Sequence, residues 1–277
     1  MSTGIGEQAH SERAAIGPPQ VFSRNLSLLA WQVLYEQRAF WRNRRRALAS
    51  FAFPLMFLLI FGAITQGAKV KGDGNIAYIN FYVPGIIAYA VMVIGFTNTA
   101  MSIALLRSEG VLKRMRTTPM PWALYLGGIV LSTVITIAVA CVLLLAIGVI
   151  FYKASVNGAA VPGLIVTVAI GTVCFTSLGI AVSRFIPKPD SGMPVLMLIV
   201  LPLSFISNVF FPIYKPQALV EIGKFFPLRR VAEGIGPAFK QTQGSGFVGH
   251  DLVTLAIWAA VGCWLMVRTM RMLSAKD

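Results

Sequence analysis

The chain has 277 residues, of which 56% are hydrophobic and only 12% are charged. Soluble domains carry about 25% charged residues, so this composition excludes an ordinary soluble protein and indicates one that crosses a membrane several times. The net charge of +14 does not favour nucleic-acid binding, because the basic residues flank the apolar runs and no nucleic-acid motif accompanies them; it favours orientation in the bilayer and contact with anionic lipids.

The N-terminal region is polar before the first apolar run begins. Residues 1–20 are small and polar, which predicts a disordered cytoplasmic tail. Residues 21–46 repeat apolar side chains at helical spacing and end in arginines, and they include Trp31 and Tyr35, which favour a bilayer interface. We predict an amphipathic helix lying in the cytoplasmic interface, although a soluble helix packed on a partner would show the same pattern. The remainder, 47–277, is predicted to form one membrane domain.

Six apolar runs follow, and most are long enough to cross a bilayer core, which takes roughly 20 residues. Basic residues are more frequent in the segments that share a side with the N-terminus, and the positive-inside rule places that side in the cytoplasm. The predicted fold class is therefore all-α: an integral membrane protein with six transmembrane helices and both termini inside. The predicted spans are 47–66, 81–106, 122–151, 162–183, 193–211 and 252–267, the last continuing to 272.

Two groups of polar residues interrupt these runs. Thr97, Asn98 and Ser102 lie toward the inner half of the second span, and Ser204 and Asn208 lie near the outer end of the fifth. Polar side chains within a span prefer protein or water to lipid. Hydrogen bonding between helices explains the second-span group at least as well as contact with a substrate does.

The short segment 107–121, RSEGVLKRMRTTPMP, connects the second and third spans. Its apolar side chains fall at helical spacing and its basic ones face elsewhere, while two prolines end the pattern. Glu109 and Gly110 are expected to open this helix, since an acid suits a helix N-terminus. A short cytoplasmic helix of this kind is either a docking surface for a partner or an interfacial helix that lies on lipid headgroups.

The segment 212–251, between the fifth and sixth spans, carries a helical pattern over 216–226 and a second one after Pro227. Segments this short and apolar would not fold alone. We predict two external re-entrant helices that dip into the outer leaflet, where backbone must be helical or buried in protein.

Several kinds of chemistry lack their motifs in this sequence. There is no G-x-x-x-x-G-K-[ST] phosphate loop, so we expect a chain that is not an enzyme and that holds no nucleotide, cofactor or metal of its own. The span interiors contain no Asp, Glu, Lys, Arg or His. A proton-driven carrier usually shows such a residue, so the pattern favours a permease driven by a partner that docks from outside the membrane.

Two stretches resemble one known family, the permeases of type-2 ABC exporters, which include daunorubicin-resistance and nodulation-factor export subunits. The loop 107–121 is similar to their coupling segment, and the motifs Phe-Phe-Pro at 210–212 and Phe-Pro-Leu at 226–228 are similar to their external re-entrant helices. The residues that match the coupling pattern are Glu109, Gly110, Lys113, Arg116, Thr118, Pro119 and Pro121.

The resemblance implies a six-span permease subunit in the cell membrane, inner or plasma, that exports an amphiphilic drug, lipid or glycolipid. It also implies two separate ATPase subunits, which would bind ATP and Mg²⁺, and a second permease chain, identical or different. The alternative is a membrane scaffold or sensor that binds a cytoplasmic partner without transport.

The resemblance also suggests roles for individual residues. An ATPase-coupling role falls to Arg107, Glu109, Gly110, Leu112, Lys113, Arg116 and Pro119. A substrate path is suggested for Thr97, Asn98, Ser102, Ser204 and Asn208, and an outer gate for Phe210 and Phe211.

Overall fold

The computed structural model describes residues 18–70, 76–111, 121–186, 189–212, 215–240 and 245–275. These ranges form ten α-helices and contain no multi-residue β-strand. A π-helical turn, Val93–Asn98, joins the helix Tyr78–Met92 to the helix Thr99–Ser108 without a break. The helices are α1 Pro18–Arg42, α2 Arg44–Ile64, α3 Tyr78–Met92, α4 Thr99–Ser108, α5 Trp122–Tyr152, α6 Val161–Val182, α7 Pro189–Ile206, α8 Gln217–Phe225, α9 Pro227–Ile235 and α10 Gly249–Ala275.

Five helical segments in the described ranges are long and apolar enough to cross a membrane. They coincide with the first, second, third, fourth and sixth predicted spans. The fifth prediction, 193–211, falls on α7, whose apolar part Gly192–Ile206 is shorter. At 1.5 Å per residue it spans roughly 22 Å, less than the ~30 Å of a bilayer core. The all-helical membrane fold is confirmed, and the count of six spans stays a prediction.

The N-terminal helix starts earlier than predicted. Residues 1–17 of the predicted tail lie outside the described ranges, whereas 18–20 already belong to α1, because proline suits the first turn of a helix. A single residue, Asn43, separates α1 from α2, and its side-chain oxygen accepts from the Arg46 N–H at 3.1 Å. This is an N-cap, so the last arginines of the predicted 21–46 helix belong to the first span.

Helix α1 packs along α5 through polar as well as apolar contacts. Gln37 donates from Nε2 to the Ser132 carbonyl at 2.6 Å and to Thr136 Oγ1 at 3.1 Å. On the same side, Val33 and Phe40 are buried. The amphipathic pattern therefore directs one face of α1 onto the spans, while the interfacial position of the helix stays a prediction.

Contacts between helix ends show that the segments connecting the helices lie at two opposite ends of the bundle. At the first, which we call the Arg107 end, Arg46 contacts Ser102, Arg107 donates to the Ser183 carbonyl, and Arg184 contacts the Met272 sulfur at 3.4 Å. The residues that begin α2 and those that end α4, α6 and α10 meet there. Gly192, near the start of α7, also lies there, against Met101.

The opposite end we call the Tyr78 end. There Tyr78 donates from Oη to the Phe210 carbonyl at 3.0 Å, Asn80 donates to Ser155 Oγ at 2.6 Å, and Tyr152 donates to the Leu59 carbonyl at 2.7 Å. The long helices therefore alternate in direction along the chain. Which end faces the cytoplasm stays a prediction.

The second span, Tyr78–Ser108, forms the centre of the bundle. In its most apolar stretch 83% of the residues are buried, against 28% in the first span and in the last. Glycines let neighbouring backbones approach it closely: a Cβ on Gly85 would lie 2.2 Å from the Val209 carbonyl oxygen, and one on Gly179 would lie 2.5 Å from that of Phe96. Such close packing is typical of membrane helices with small residues at their contacts.

The two short helices predicted after the fifth span are present as α8 and α9. Helix α9 packs against α3, α6 and α10 through the fully buried side chains of Leu228, Val231 and Ile235. These helices thus belong to the membrane domain rather than to a separate unit, and their re-entrant depth in the bilayer stays a prediction.

Candidate functional site

Asn98 and Ser102 form a polar cluster with the start of α2 near the Arg107 end. Asn98 donates from Nδ2 to Ser50 Oγ at 2.7 Å, and its carbonyl accepts from Arg46 Nη2 at 3.2 Å and from Ser102 Oγ at 2.6 Å. Arg46 Nη2 also contacts Ser102 Oγ. These polar groups therefore link the first span to the second, which is the helix-packing interpretation left open by the sequence.

A small cavity of about 60 Å³ adjoins this cluster, and α1, α2, α4 and α5 all contribute to its wall. Glu36 faces it from α1 and Arg46 faces it from α2. Removal from water raises the pKa of Glu36, against the lowering influence of Arg46 and of the hydrogen bond that Gln32 donates at 3.0 Å. The cavity is about large enough for one or two water molecules, so it suits bound water better than an amphiphile.

Thr97 lies in the π-helical turn, where the second span contacts α6. Its hydroxyl is buried, as is that of Thr176 on α6, and within the described ranges neither has a hydrogen-bond partner. Gly95, in the same turn, lies against Thr176, since a Cβ there would be 3.4 Å from the Thr176 nitrogen. Single π-turns frequently mark functional sites, and this one brings two unpaired polar groups to the centre of the bundle.

Ser204 and Asn208 lie far from the Asn98 cluster. Gly192, near the start of α7, lies beside Met101 of α4, since a Cβ on Gly192 would approach the Met101 sulfur. Ser204 follows twelve residues later in α7, which places it about 18 Å farther along the helix axis. Ser204 donates to the Val200 carbonyl of its own helix at 2.7 Å, and Asn208 follows the helix with φ 61°. The five residues predicted for a substrate path thus form two separate groups.

The predicted gate residues Phe210 and Phe211 differ in their surroundings. Phe210 is buried, with its ring centroid 5.1 Å from that of Phe57 and 5.4 Å from that of Tyr89. Phe211 is 45% exposed and lies edge-on to Phe61. Phe210 therefore belongs to the packed core at the Tyr78 end, and only Phe211 presents a ring at the surface.

In the described part of the predicted coupling segment, Glu109 and Gly110 stand directly after α4. They end that helix: the Gly110 N–H donates to the Arg107 carbonyl at 3.1 Å, and its φ is +70°. Glycine adopts this left-handed conformation without a steric penalty, which makes it the common residue just after a helix. Helical conformation resumes at Val111, directly after these two residues, and the predicted coupling helix that they would open stays a prediction.

Arg107 binds the connection that follows α6. Its guanidinium donates to the carbonyls of Ser183 and Arg184, both at 3.3 Å, and contacts that of Ile186. These carbonyls follow a helix C-terminus, where acceptors lack partners inside the helix. Glu109 is exposed. The remaining residues predicted to couple lie outside the described ranges; they are Leu112, Lys113, Arg116 and Pro119.

Arg46 is a member of the polar cluster around Asn98, and the sequence pattern did not single it out. It was counted among the arginines that orient the chain, yet its side chain turns into the bundle toward Asn98 and Ser102. The available signal was its spacing from Ser50, one helical turn later on the same face. Within the described ranges, no group of three His, Cys, Asp or Glu side chains is placed to hold a metal ion.

We expect Asn98→Ala to lower the free energy of unfolding by about 1 kcal/mol, because the bond to Ser50 is lost. The Arg46 contact should persist, since it uses the backbone carbonyl. Thermal unfolding in detergent measures the effect, and Ser204→Ala is the control because, among the described residues, its hydroxyl bonds only within its own helix. Unchanged stability with lost transport would contradict the packing role and support contact with substrate.

Comparison with known families identifies the kind of protein that carries this fold. Residues 27–236 match the model of the ABC-2 type transporter family. The match covers most of the chain, which therefore belongs to this family of membrane permeases. The chain is a multi-pass membrane protein, and the matched region is a membrane domain rather than a nucleotide-binding domain. No curated protein sequence matches it.

Proposed function

We propose that this chain is the permease subunit of an ATP-driven exporter in the inner or plasma membrane. It would move an amphiphilic substrate outward, energised by two ATPase subunits that bind ATP and Mg²⁺. The observation that carries the proposal is the family match over residues 27–236, because the family implies an ATPase partner. The sequence itself contains no phosphate-binding loop, so hydrolysis would occur in that partner.

The position of segment 107–121 supports a coupling role. It leaves the second span, which is the centre of the bundle, and enters α5 at Trp122. Arg107 also ties its start to the connection between α6 and α7. A force applied to this segment by a docked subunit would therefore reach three spans through covalent and hydrogen-bonded links, which is what a transmission element requires.

A second permease chain is part of the proposal, because the family implies dimerisation. The polar groups at Asn98 and Ser102 are engaged inside one chain, so a substrate path would be completed between two copies, identical or different. Large apolar side chains on α7 remain exposed, among them Leu198 and Phe205. Such a surface with few polar groups suits an amphiphile, either a drug or a lipid.

We expect Glu109→Lys to abolish co-purification of ATPase activity from native membranes, because it places a cation on the exposed acidic end of α4. The measurement is ATP hydrolysis in a tagged pull-down under mild detergent. The matched control is Glu221→Lys, which makes the same change on an exposed acid of α8. Normal assembly of the Glu109 variant would refute docking at this segment, and absence of any ATPase from the unmodified chain would favour a scaffold or sensor.

A further inference from the structure

Four arginines surround an open concavity where α1 turns into α2. The concavity encloses about 830 Å³, and none of the residues that line it is acidic. Arg38 and Arg42 reach it from the last turns of α1, and Arg44 and Arg45 reach it from the first turn of α2. We call this set of four side chains the arginine corner.

All four arginines of the corner are exposed, and within the described ranges their guanidinium groups have no hydrogen-bond or ion-pair partner. The arginines of those ranges that are buried or half-buried do have partners. Arg46, the next residue, binds the Asn98 cluster, Arg107 binds the connection after α6, and Arg229 and Arg230 bind Glu233. Four like charges held together by one helical corner repel each other. An anion bound among them would relieve this repulsion.

The neighbouring side chains indicate what kind of anion would bind. Tyr35 lines the same concavity, Trp41 beside it is 47% exposed, and Leu48, one turn into the first span, is 70% exposed. Tyrosine and tryptophan favour the headgroup level of a bilayer, while an exposed leucine favours its acyl chains. These neighbours favour a position of the arginines at the depth of lipid phosphates, and the arginines stand at the start of a helix long and apolar enough to cross the membrane.

We propose that the arginine corner is a binding site for the phosphate headgroup of an anionic phospholipid. Guanidinium groups bind phosphate through paired N–H donors. In the first turn of α2 Asn43 caps the Arg46 N–H, while the other first N–H groups have no acceptors inside the helix, which favours an anion at the same place. This site requires only that the chain spans a membrane, so it does not depend on the proposed export function.

The full chain, purified in detergent, would be incubated with equimolar phosphatidylglycerol and phosphatidylcholine, and the retained lipids counted by native mass spectrometry. We expect selective retention of phosphatidylglycerol, and a variant lacking the corner should reduce that selectivity by more than about tenfold. The variant is Arg38→Gln/Arg42→Gln/Arg44→Gln/Arg45→Gln. The control variant, which neutralises four lysines at the Tyr78 end, should keep the selectivity. It is Lys69→Gln/Lys153→Gln/Lys215→Gln/Lys224→Gln.

The unmodified chain provides two further measurements that do not depend on folding of a variant. Raising the salt from about 0.1 to about 0.5 M should weaken retention, because it shortens the range of electrostatic attraction. Inorganic phosphate at millimolar concentration should not displace the lipid. Equal retention of both lipids, full selectivity in the arginine variant, or displacement by inorganic phosphate would each overturn the proposal.

Discussion

Replacing Arg230 with methionine is expected to lower the free energy of unfolding by about 3–5 kcal/mol. Arg230 Nη1 donates to Asp251 Oδ1 at 2.8 Å, and the two side chains are only 11% and 7% exposed. Methionine fills a similar volume but leaves the Asp251 carboxylate buried without its cation. An uncompensated buried charge is much more costly than the loss of an exposed ion pair.

The same arginine joins three helices, which is why the effect should extend beyond one pair. Its Nε donates to the Lys224 carbonyl at the end of α8 at 2.9 Å, while Nη1 also approaches Glu233 of α9 at 3.4 Å. Asp251 belongs to the first turn of α10. The variant should therefore loosen α8 and α9 from the last span, and amide hydrogen exchange in these helices should increase with the loss of stability.

Two variants test this explanation of the Arg230 effect. Lys224→Met removes an exposed pair with Glu221, so we expect no measurable change in thermal unfolding. Arg230→Met/Asp251→Leu removes both buried charges and should recover most of the lost stability, since replacing a whole buried pair with apolar side chains is often neutral. If the double variant were no more stable than the single one, the buried charge would not be the cause.

The long helices could be predicted from sequence because most of the apolar runs have the length that a bilayer demands. Five of the six runs coincide with observed helices of that length. The exception, α7, contains Pro194 and Pro202 and ends at Ile206 rather than 211, because the chain turns at Ser207 and Asn208, which has a positive φ. Helix ends depend on such local conformations, which periodicity does not encode.

The candidate site was predicted only in part, since its contacts join residues distant in sequence. The polar residues of the second span were recognised, but their partners Arg46 and Ser50 are about 50 positions earlier. Nor did the sequence indicate the Arg230–Asp251 pair, because the two residues belong to different helices. In the sequence, a basic cluster before a span indicates only the orientation of that span in the membrane. The contacts between helices are needed to show which arginine side chain turns into the bundle.

The second large effect is expected at Gly179, where α6 crosses the π-helical turn of the second span. In Gly179→Ala the new Cβ would lie 2.5 Å from the Phe96 carbonyl oxygen and 3.0 Å from that of Gly95. These are backbone atoms, so no side-chain rotation can relieve the clash and the two helices must separate. Overpacking typically costs about 1–3 kcal/mol, and a clash with backbone at the buried centre should reach at least the upper part of that range.

Gly127→Ala is the matched control for Gly179→Ala, because both place the same side chain inside a membrane-spanning helix. Within the part of the chain that the structure describes, the new Cβ at Gly127 would meet only the Leu29 side chain, at 3.6 Å. In a helix interior alanine is more favourable than glycine by about 1 kcal/mol. We therefore expect the free energy of unfolding of Gly127→Ala to be unchanged or slightly higher. Thermal unfolding of both variants in one detergent separates the two effects. Equal melting temperatures would mean that α6 can move away from the π-turn at little cost, and that this contact does not fix the centre of the bundle.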